Sequence, residues 1–284
     1  MSPPRERNDR SGPAGKGPHG PRKEGQGRPF RPSLGRIDKP SAAEGNEWIW
    51  GWHAVSAALA NPRRETIRRI VCTASRLDEI ARMAGERTVR IDAVEAQEIA
   101  RLLPTGAAHQ GAALLAPALE PLDLDDLAFA GAGLLVMLDQ VTDPQNVGAI
   151  FRTAAAFGAQ GLILQDRRAP PLTGALAKAA AGAIERVPHA RVVNLSRALE
   201  QLSELGWRSV GLAGEAPQAL EDVLDARPTV LVLGSEGEGL RRLVADHCDA
   251  LGRIAMPGGF ESLNVSNAAA VALYAASRIR QIGE

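Results

Sequence analysis

From Leu134 onward the sequence alternates short apolar runs with helical patterns, and this alternation restricts the fold more than any other feature. Leu134–Leu138, Leu162–Leu164, Val210–Leu212 and Val230–Leu233 are apolar throughout, as strands covered on both faces are. Between them the spacing of apolar residues predicts helices over Ala149–Phe157 and Leu195–Leu205, and an alanine-rich stretch predicts a last helix over 264–281. The fold class is therefore α/β, with a mostly parallel sheet and helices on both faces, occupying 134–284. In such sheets ligands bind beyond the carboxyl ends of the strands, so polar residues just after a strand are the natural site candidates.

Upstream, residues 47–117 read as a small α/β unit. Helices are predicted over Trp50–Ala60, Arg76–Met83 and Ala93–Leu102, and strands over Arg69–Cys72, Val89–Ile91 and Ala112–Leu115. A linker spans 118–133, with Pro121 and the acidic run Asp123-Leu124-Asp125-Asp126. Residues 1–46 hold eight prolines, eight glycines and almost no large apolar side chains, so burial cannot offset the entropy of ordering them. They are expected to form a disordered basic tail, either a solvated segment or an arm that attracts phosphate.

The net charge of zero conceals an asymmetry: ten Lys/Arg against five Asp/Glu in 1–46, and 23 against 28 in the remainder. A uniformly basic nucleic-acid binder is excluded, and RNA contact would rely on the tail or on local pairs such as Arg63-Arg64, Arg68-Arg69 and Arg167-Arg168. No apolar run is long enough to span a membrane and no secretory signal is visible, so a cytoplasmic protein is expected. Two distant cysteines and five scattered histidines offer neither a disulfide framework nor metal-ligand spacing.

Three segments place polar or glycine residues after a predicted strand. The first, Asp139-Gln140-Val141-Thr142-Asp143-Pro144-Gln145-Asn146-Val147-Gly148, leads into a helix containing Arg152. Asn146 reads there as an N-cap or as a site residue, and Arg152 follows less than two helical turns later, within reach of the same cleft. The second, Gly234-Ser235-Glu236-Gly237-Glu238-Gly239, has the spacing G-x-x-G-x-G, which is neither the dinucleotide fingerprint nor a phosphate loop. The third runs from Ile254 through Pro257-Gly258-Gly259 to Ser262-Leu263-Asn264-Val265-Ser266-Asn267. One residue suffices to cap the last helix, and four candidates within six positions favour a site.

In this order and spacing the three segments resemble the SpoU–TrmH family of RNA ribose methyltransferases. The likeness covers about 134–284 and extends more weakly over 48–117 through Gly51-Trp52-His53-Ala54-Val55 and Ala108-His109-Gln110-Gly111. Gly182-Ala183-Ile184-Glu185-Arg186-Val187-Pro188, Arg191–Leu195 and Gly214-Glu215-Ala216 are similar to the bacterial branch that methylates a guanosine of 23S rRNA. The resemblance implies a trefoil-knotted catalytic domain, S-adenosylmethionine held largely by backbone at Gly234, Ile254 and Leu263, a homodimer, and an RNA-binding role for the small unit. It implies catalytic roles for Arg152, Asn146, Glu236, Asn264 and Ser266. Pro257 departs from the small residue common at its position.

The implied reaction moves a methyl group from a sulfonium to a ribose hydroxyl. A neutral hydroxyl is a poor nucleophile and loses its proton during attack, so the site must position it and stabilise developing negative charge. Arginine, with a pKa of roughly 12 or more, suits donation and charge stabilisation better than proton abstraction. Two readings from other classes stay open at this point. A dinucleotide-dependent oxidoreductase would share the sheet but needs another glycine spacing, and a non-catalytic RNA-binding assembly factor would not need Asn146, Arg152 and Asn264 together. A tRNA substrate is a third alternative.

Overall fold

The computed structural model of the chain describes residues 46–129, 131–258 and 262–283. The tail expected over 1–46 lies outside them except for its last residue. Strand β1 (Asn46–Trp50) is followed by α1 (Trp52–Ala60), β2 (Arg69–Cys72), α2 (Leu77–Ala84), β3 (Arg90–Ala93), α3 (Ala96–Leu102) and β4 (Ala112–Pro117). The four strands order β1-β4-β2-β3, with β2 and β3 parallel and the other pairs antiparallel. Strand β1 was not foreseen, and the helix predicted from Trp50 begins at Trp52. Gly51 separates the two elements at φ 92°, a conformation that glycine adopts without penalty. The third strand starts at Arg90, and the third helix starts at Ala96 because Glu95 before it is extended.

The 118–133 segment is more than a connector. Leu122 bridges Ala190, and helix α4 (Leu124–Ala128) buries Leu124, Leu127 and Ala128. Beyond it run β5 (Leu134–Leu138), α5 (Pro144–Ala156), β6 (Gly161–Gln165), α6 (Gly174–Ala179), β7 (His189–Val192) and α7 (Leu195–Glu204). Then come β8 (Arg208–Leu212), α8 (Leu220–Val223), β9 (Thr229–Leu233), α9 (Arg242–Ala245), β10 (Ala250–Gly252) and α10 (Val265–Gly283). The six strands order β10-β8-β9-β5-β6-β7 and every neighbouring pair is parallel.

The expected α/β architecture with a parallel sheet is thus present. Strand alternation divides the core in two. Leu134, Val136 and Leu138 pack with Val147, Ile150 and Phe151 of α5 and with Ala269, Ala272 and Leu273 of α10. Leu135 and Met137 point the other way, onto Leu124 and Leu127 of α4 and Leu195, Leu199 and Leu202 of α7. The first cluster continues without a break into Ile49, Val55, Ile70 and Leu114, so the two sheets share one core.

Strand β7 escaped sequence reading because it is the sheet edge, where Arg191 and Val192 are only half-buried. The one-turn helices α8 and α9 are too short to show a helical period. The strand expected at Ile254 lies earlier, at Ala250–Gly252, and Ala255 is exposed with no ladder partner. The chain leaves β5 through α5 toward β6 on one side, whereas β9 is entered from β8 on the other. This is the switch point at which open parallel sheets form a ligand crevice.

His189, buried in β7, has its pKa pushed down to about 4 by burial, and then by the positive charges of Arg191 and Arg63. The unfolded chain binds that proton near pH 6.5. Stability from the neutral imidazole is therefore complete above pH 6.5 and falls as the pH drops toward 4, by about 3 kcal/mol in all. Urea unfolding between pH 4 and 7 is expected to show this slope in the native chain and a flatter one in His189→Phe. Equal slopes would mean that His189 does not titrate in this window.

Candidate active site

The site is built where three loops meet the carboxyl ends of β5 and β9. Asp143, not Asn146, caps α5: its carboxylate accepts the Gln145 amide at 3.0 Å, and Pro144 takes the first helical position. That corrects the N-cap reading of Asn146 and leaves its side chain free. Asn146 is 9% exposed, so its amide must find partners inside the fold.

Those partners come from the other two segments. Asn146 Nδ2 donates to Glu236 Oε1 at 2.7 Å, and Asn146 Oδ1 accepts from Asn264 Nδ2 at 3.1 Å. Asn264 Nδ2 also donates to Glu236 Oε1 at 2.5 Å, closing a three-membered ring of hydrogen bonds. The same Asn264 caps α10, its Oδ1 accepting from the Ser266 amide at 2.9 Å and from Ser266 Oγ at 2.5 Å. Capping and site membership, weighed as alternatives in the sequence, are both true of this residue. Asn146, Glu236, Asn264 and Ser266 are thereby brought together from segments up to 120 positions apart.

The other four candidates stand apart from the ring. Arg152 is exposed on α5, and its side chain makes no hydrogen bond or ion pair with another described residue. Ile254 is half-buried against the main core just beyond β10, and Leu263 is 39% exposed beside Asn264. Gly234 directly follows β9, and an added Cβ there would overlap the backbone of Gly239 and Leu240. The loop folds back there through paired hydrogen bonds between Ser235 and Gly239, at 3.1 and 3.0 Å. The chain's own return therefore demands glycine at 234, with or without a ligand.

Sequence reading missed the pair that holds this loop. Asp139, fully buried at the end of β5, accepts from the Arg241 amide at 2.9 Å and from Arg241 Nε at 2.7 Å. Its own amide donates to the Leu233 carbonyl at 2.8 Å. The signal was an acid directly after a wholly apolar strand, where an ionised side chain needs a fixed partner. Next to it Gln140 lies at φ 58°, a left-handed conformation that costs a non-glycine residue on the order of 1 kcal/mol.

These groups offer an exposed carboxylate, Glu236, that no cation pairs among the described residues, a glycine-rich backbone loop and the exposed apolar side chain of Leu263. Such a set fits a nucleoside that carries a positive charge. The sequence profile described as the SpoU rRNA methylase family matches residues 133–274. The chain belongs to the SpoU rRNA methylase family. A second profile, described as RNA 2′-O ribose methyltransferase substrate binding, matches residues 48–122.

A Xylella fastidiosa protein named 23S rRNA (guanosine-2′-O-)-methyltransferase RlmB is 40% identical over 247 residues, 84% of this chain and 98% of that one. The structure of an AdoMet-bound rRNA methyltransferase from Sinorhizobium meliloti superposes with a TM-score of 0.71 at 26% identity, covering 82% of this chain and 87% of the other. The SpoU methyltransferase AviRb from Streptomyces viridochromogenes, in complex with AdoMet, gives 0.70 at 27% identity, covering 84% and 92%. Membership of the SpoU family agrees with the resemblance carried by the three segments.

In this SpoU protein, Asp139→Asn is expected to lower stability by about 1–3 kcal/mol, since a buried carboxylate loses its charge-assisted bonds. Arg241, 42% exposed, then turns to solvent and releases the 234–240 loop. Hydrogen exchange should show faster exchange at the Ser235 and Gly239 amides, and unchanged protection there would deny Asp139 this role.

Proposed function

We propose that this enzyme transfers the methyl group of S-adenosylmethionine to the ribose 2′-hydroxyl of a guanosine in 23S rRNA, in the cytoplasm. The observation that carries the reading is the ring joining Asn146, Glu236 and Asn264 at the β5–β9 switch point. The rRNA and guanosine assignments rest on the relatives named for that reaction. The substrate class also draws on the profile match over 48–122.

We divide the chain accordingly into a tail over 1–46, an RNA-binding unit over 47–117, a connection over 118–133 and a catalytic unit over 134–284. The position of β10 at the sheet edge and of Asn264 against Asn146 at the sheet centre supports a trefoil knot in this unit. A homodimer is part of the reading, with the exposed Val271 and Tyr274 face of α10 as its interface. Sedimentation at micromolar concentration reads this out, and an active monomer excludes it.

When bound, S-adenosylmethionine supplies an electrophilic methyl on sulfur and leaves as a neutral sulfide. Backbone at Gly234, Ile254 and Leu263 would hold it. Glu236 would offer that positive charge a carboxylate, and the hydrogen-bond ring keeps the carboxylate from turning away. Asn146 and Asn264 spend their amides on orientation, and Ser266 is fixed by the same Asn264 oxygen. Arg152, unpaired among the described residues, is free to meet the ribose oxygen. Its guanidinium donates to that oxygen as negative charge develops there.

Arg152→Ala should therefore leave S-adenosylmethionine affinity nearly intact and slow single-turnover methylation by on the order of 100- to 1,000-fold at saturating RNA. Arg152→Lys retains the charge without the planar fork and should recover little of the rate. A rate for Arg152→Ala within about threefold of the native enzyme would remove Arg152 from the reaction.

A further inference from the structure

The run Gly182–Pro188 is prominent in the sequence and has no part in the proposed chemistry. Within it Glu185 ends a 3-10 turn (Ala183–Glu185) with its side chain 2% exposed. Both of its oxygens are taken by the four-stranded unit. Arg64 Nε donates to Oε1 at 2.8 Å, and Asn61 Nδ2 donates to Oε2 at 2.8 Å. The Arg64 side chain is equally buried, and its Nη1 also donates to the Pro117 carbonyl at 2.7 Å.

Neighbouring contacts press the same two bodies together. Gly182, at φ 89°, faces α1 so closely that a Cβ there would stand 2.6 Å from Ala57 Cβ and 2.9 Å from the His53 carbonyl oxygen. Lys178 Nζ donates at 2.6 Å to Gln110 Oε1, in the loop before β4. On its far side α6 packs against α5. A Cβ at Gly148 would come within 2.6 Å of Ala179 Cβ and of the Leu176 carbonyl oxygen. A path of direct contacts therefore runs from the small unit through residues 174–185 to the helix that carries Asn146 and Arg152.

Apolar surfaces alone tolerate sliding, whereas a desolvated carboxylate shared by two donors has one good geometry. Replacing both partners of a buried ion pair by apolar residues is often nearly neutral for stability, so stability alone does not account for such a pair. We propose that Glu185 is a positioning residue that, through Arg64 and Asn61, locks the four-stranded unit onto α6 and so presents bound RNA to the methyl-transfer site in one orientation. The proposal rests on the reading that this unit binds RNA and deepens it: substrate choice becomes a matter of the fixed span between the two bodies.

Spin labels on Gln97→Cys in α3 and Glu204→Cys in α7, both exposed, measure that span in the 284-residue chain diluted with unlabelled chain. The native thiols of Cys72 and Cys248 are pushed up to about 11 and about 12, chiefly by burial, and resist labelling. With native Glu185 and Arg64, one narrow distance distribution is expected, without RNA or cofactor. A broad or multiple distribution overturns the proposal, whatever the fate of the catalytic reading.

In Arg64→Met/Glu185→Leu the distribution should broaden, kcat/KM for rRNA should fall at least about tenfold, mostly through KM, and S-adenosylmethionine affinity should stay within twofold. A distribution as narrow as the native one, or broadening with unchanged kcat/KM, overturns it. If the native enzyme transfers no methyl to RNA, the catalytic reading fails, and the distance arms still decide whether the lock exists.

Discussion

A buried amide must have partners, and the side chain of Asn146 finds its partners only if three distant segments come to one place. Its donor is satisfied by Glu236, from the loop after β9, and its acceptor by Asn264, at the start of α10. The rest of the catalytic unit follows from that requirement. The parallel sheet sets β5 beside β9, Asp143 caps α5 so that Asn146 is released inward, and Asp139 pins the glycine loop through Arg241. Removing the partners of Asn146 or of Asp139 would leave a buried polar group without a hydrogen bond, which costs far more than the same contact gains at a surface.

The proposed chemistry divides between a rigid part and a free one. The ring spends its hydrogen bonds on holding loops in place and has little left over for a substrate. Arg152 is the opposite case: exposed and unpaired among the described residues, it keeps its full donor capacity. Preorganised scaffolding together with an uncommitted donor is a sound arrangement for stabilising charge that appears only during reaction. The contact path through α6 links the ring's helix to the four-stranded unit, and in the proposed reading binding and transfer share one frame.

Much of this was legible in the sequence, and the failures have physical reasons. Apolar runs such as Leu134–Leu138 are unambiguous because both faces of a central strand are buried. Strand β7 was invisible because an edge strand carrying His189 and Arg191 satisfies no simple period. Asn264 was read as a cap or a site residue, yet an asparagine has two ends and uses one for each. Gly234 was expected to admit a ligand, and its neighbours show that the loop's own return already requires it. No residue pattern could have shown that Glu185 meets Arg64, because pairing across 121 positions depends on how the two sheets dock.

The most direct test of the central claim is nucleoside mass spectrometry of unmodified 23S rRNA treated with the enzyme and S-adenosylmethionine bearing a deuterated methyl group. The account predicts label in 2′-O-methylguanosine at a single position, lost with Arg152→Ala at short reaction times. Label on a base, or no transfer by protein that binds the cofactor, would contradict it.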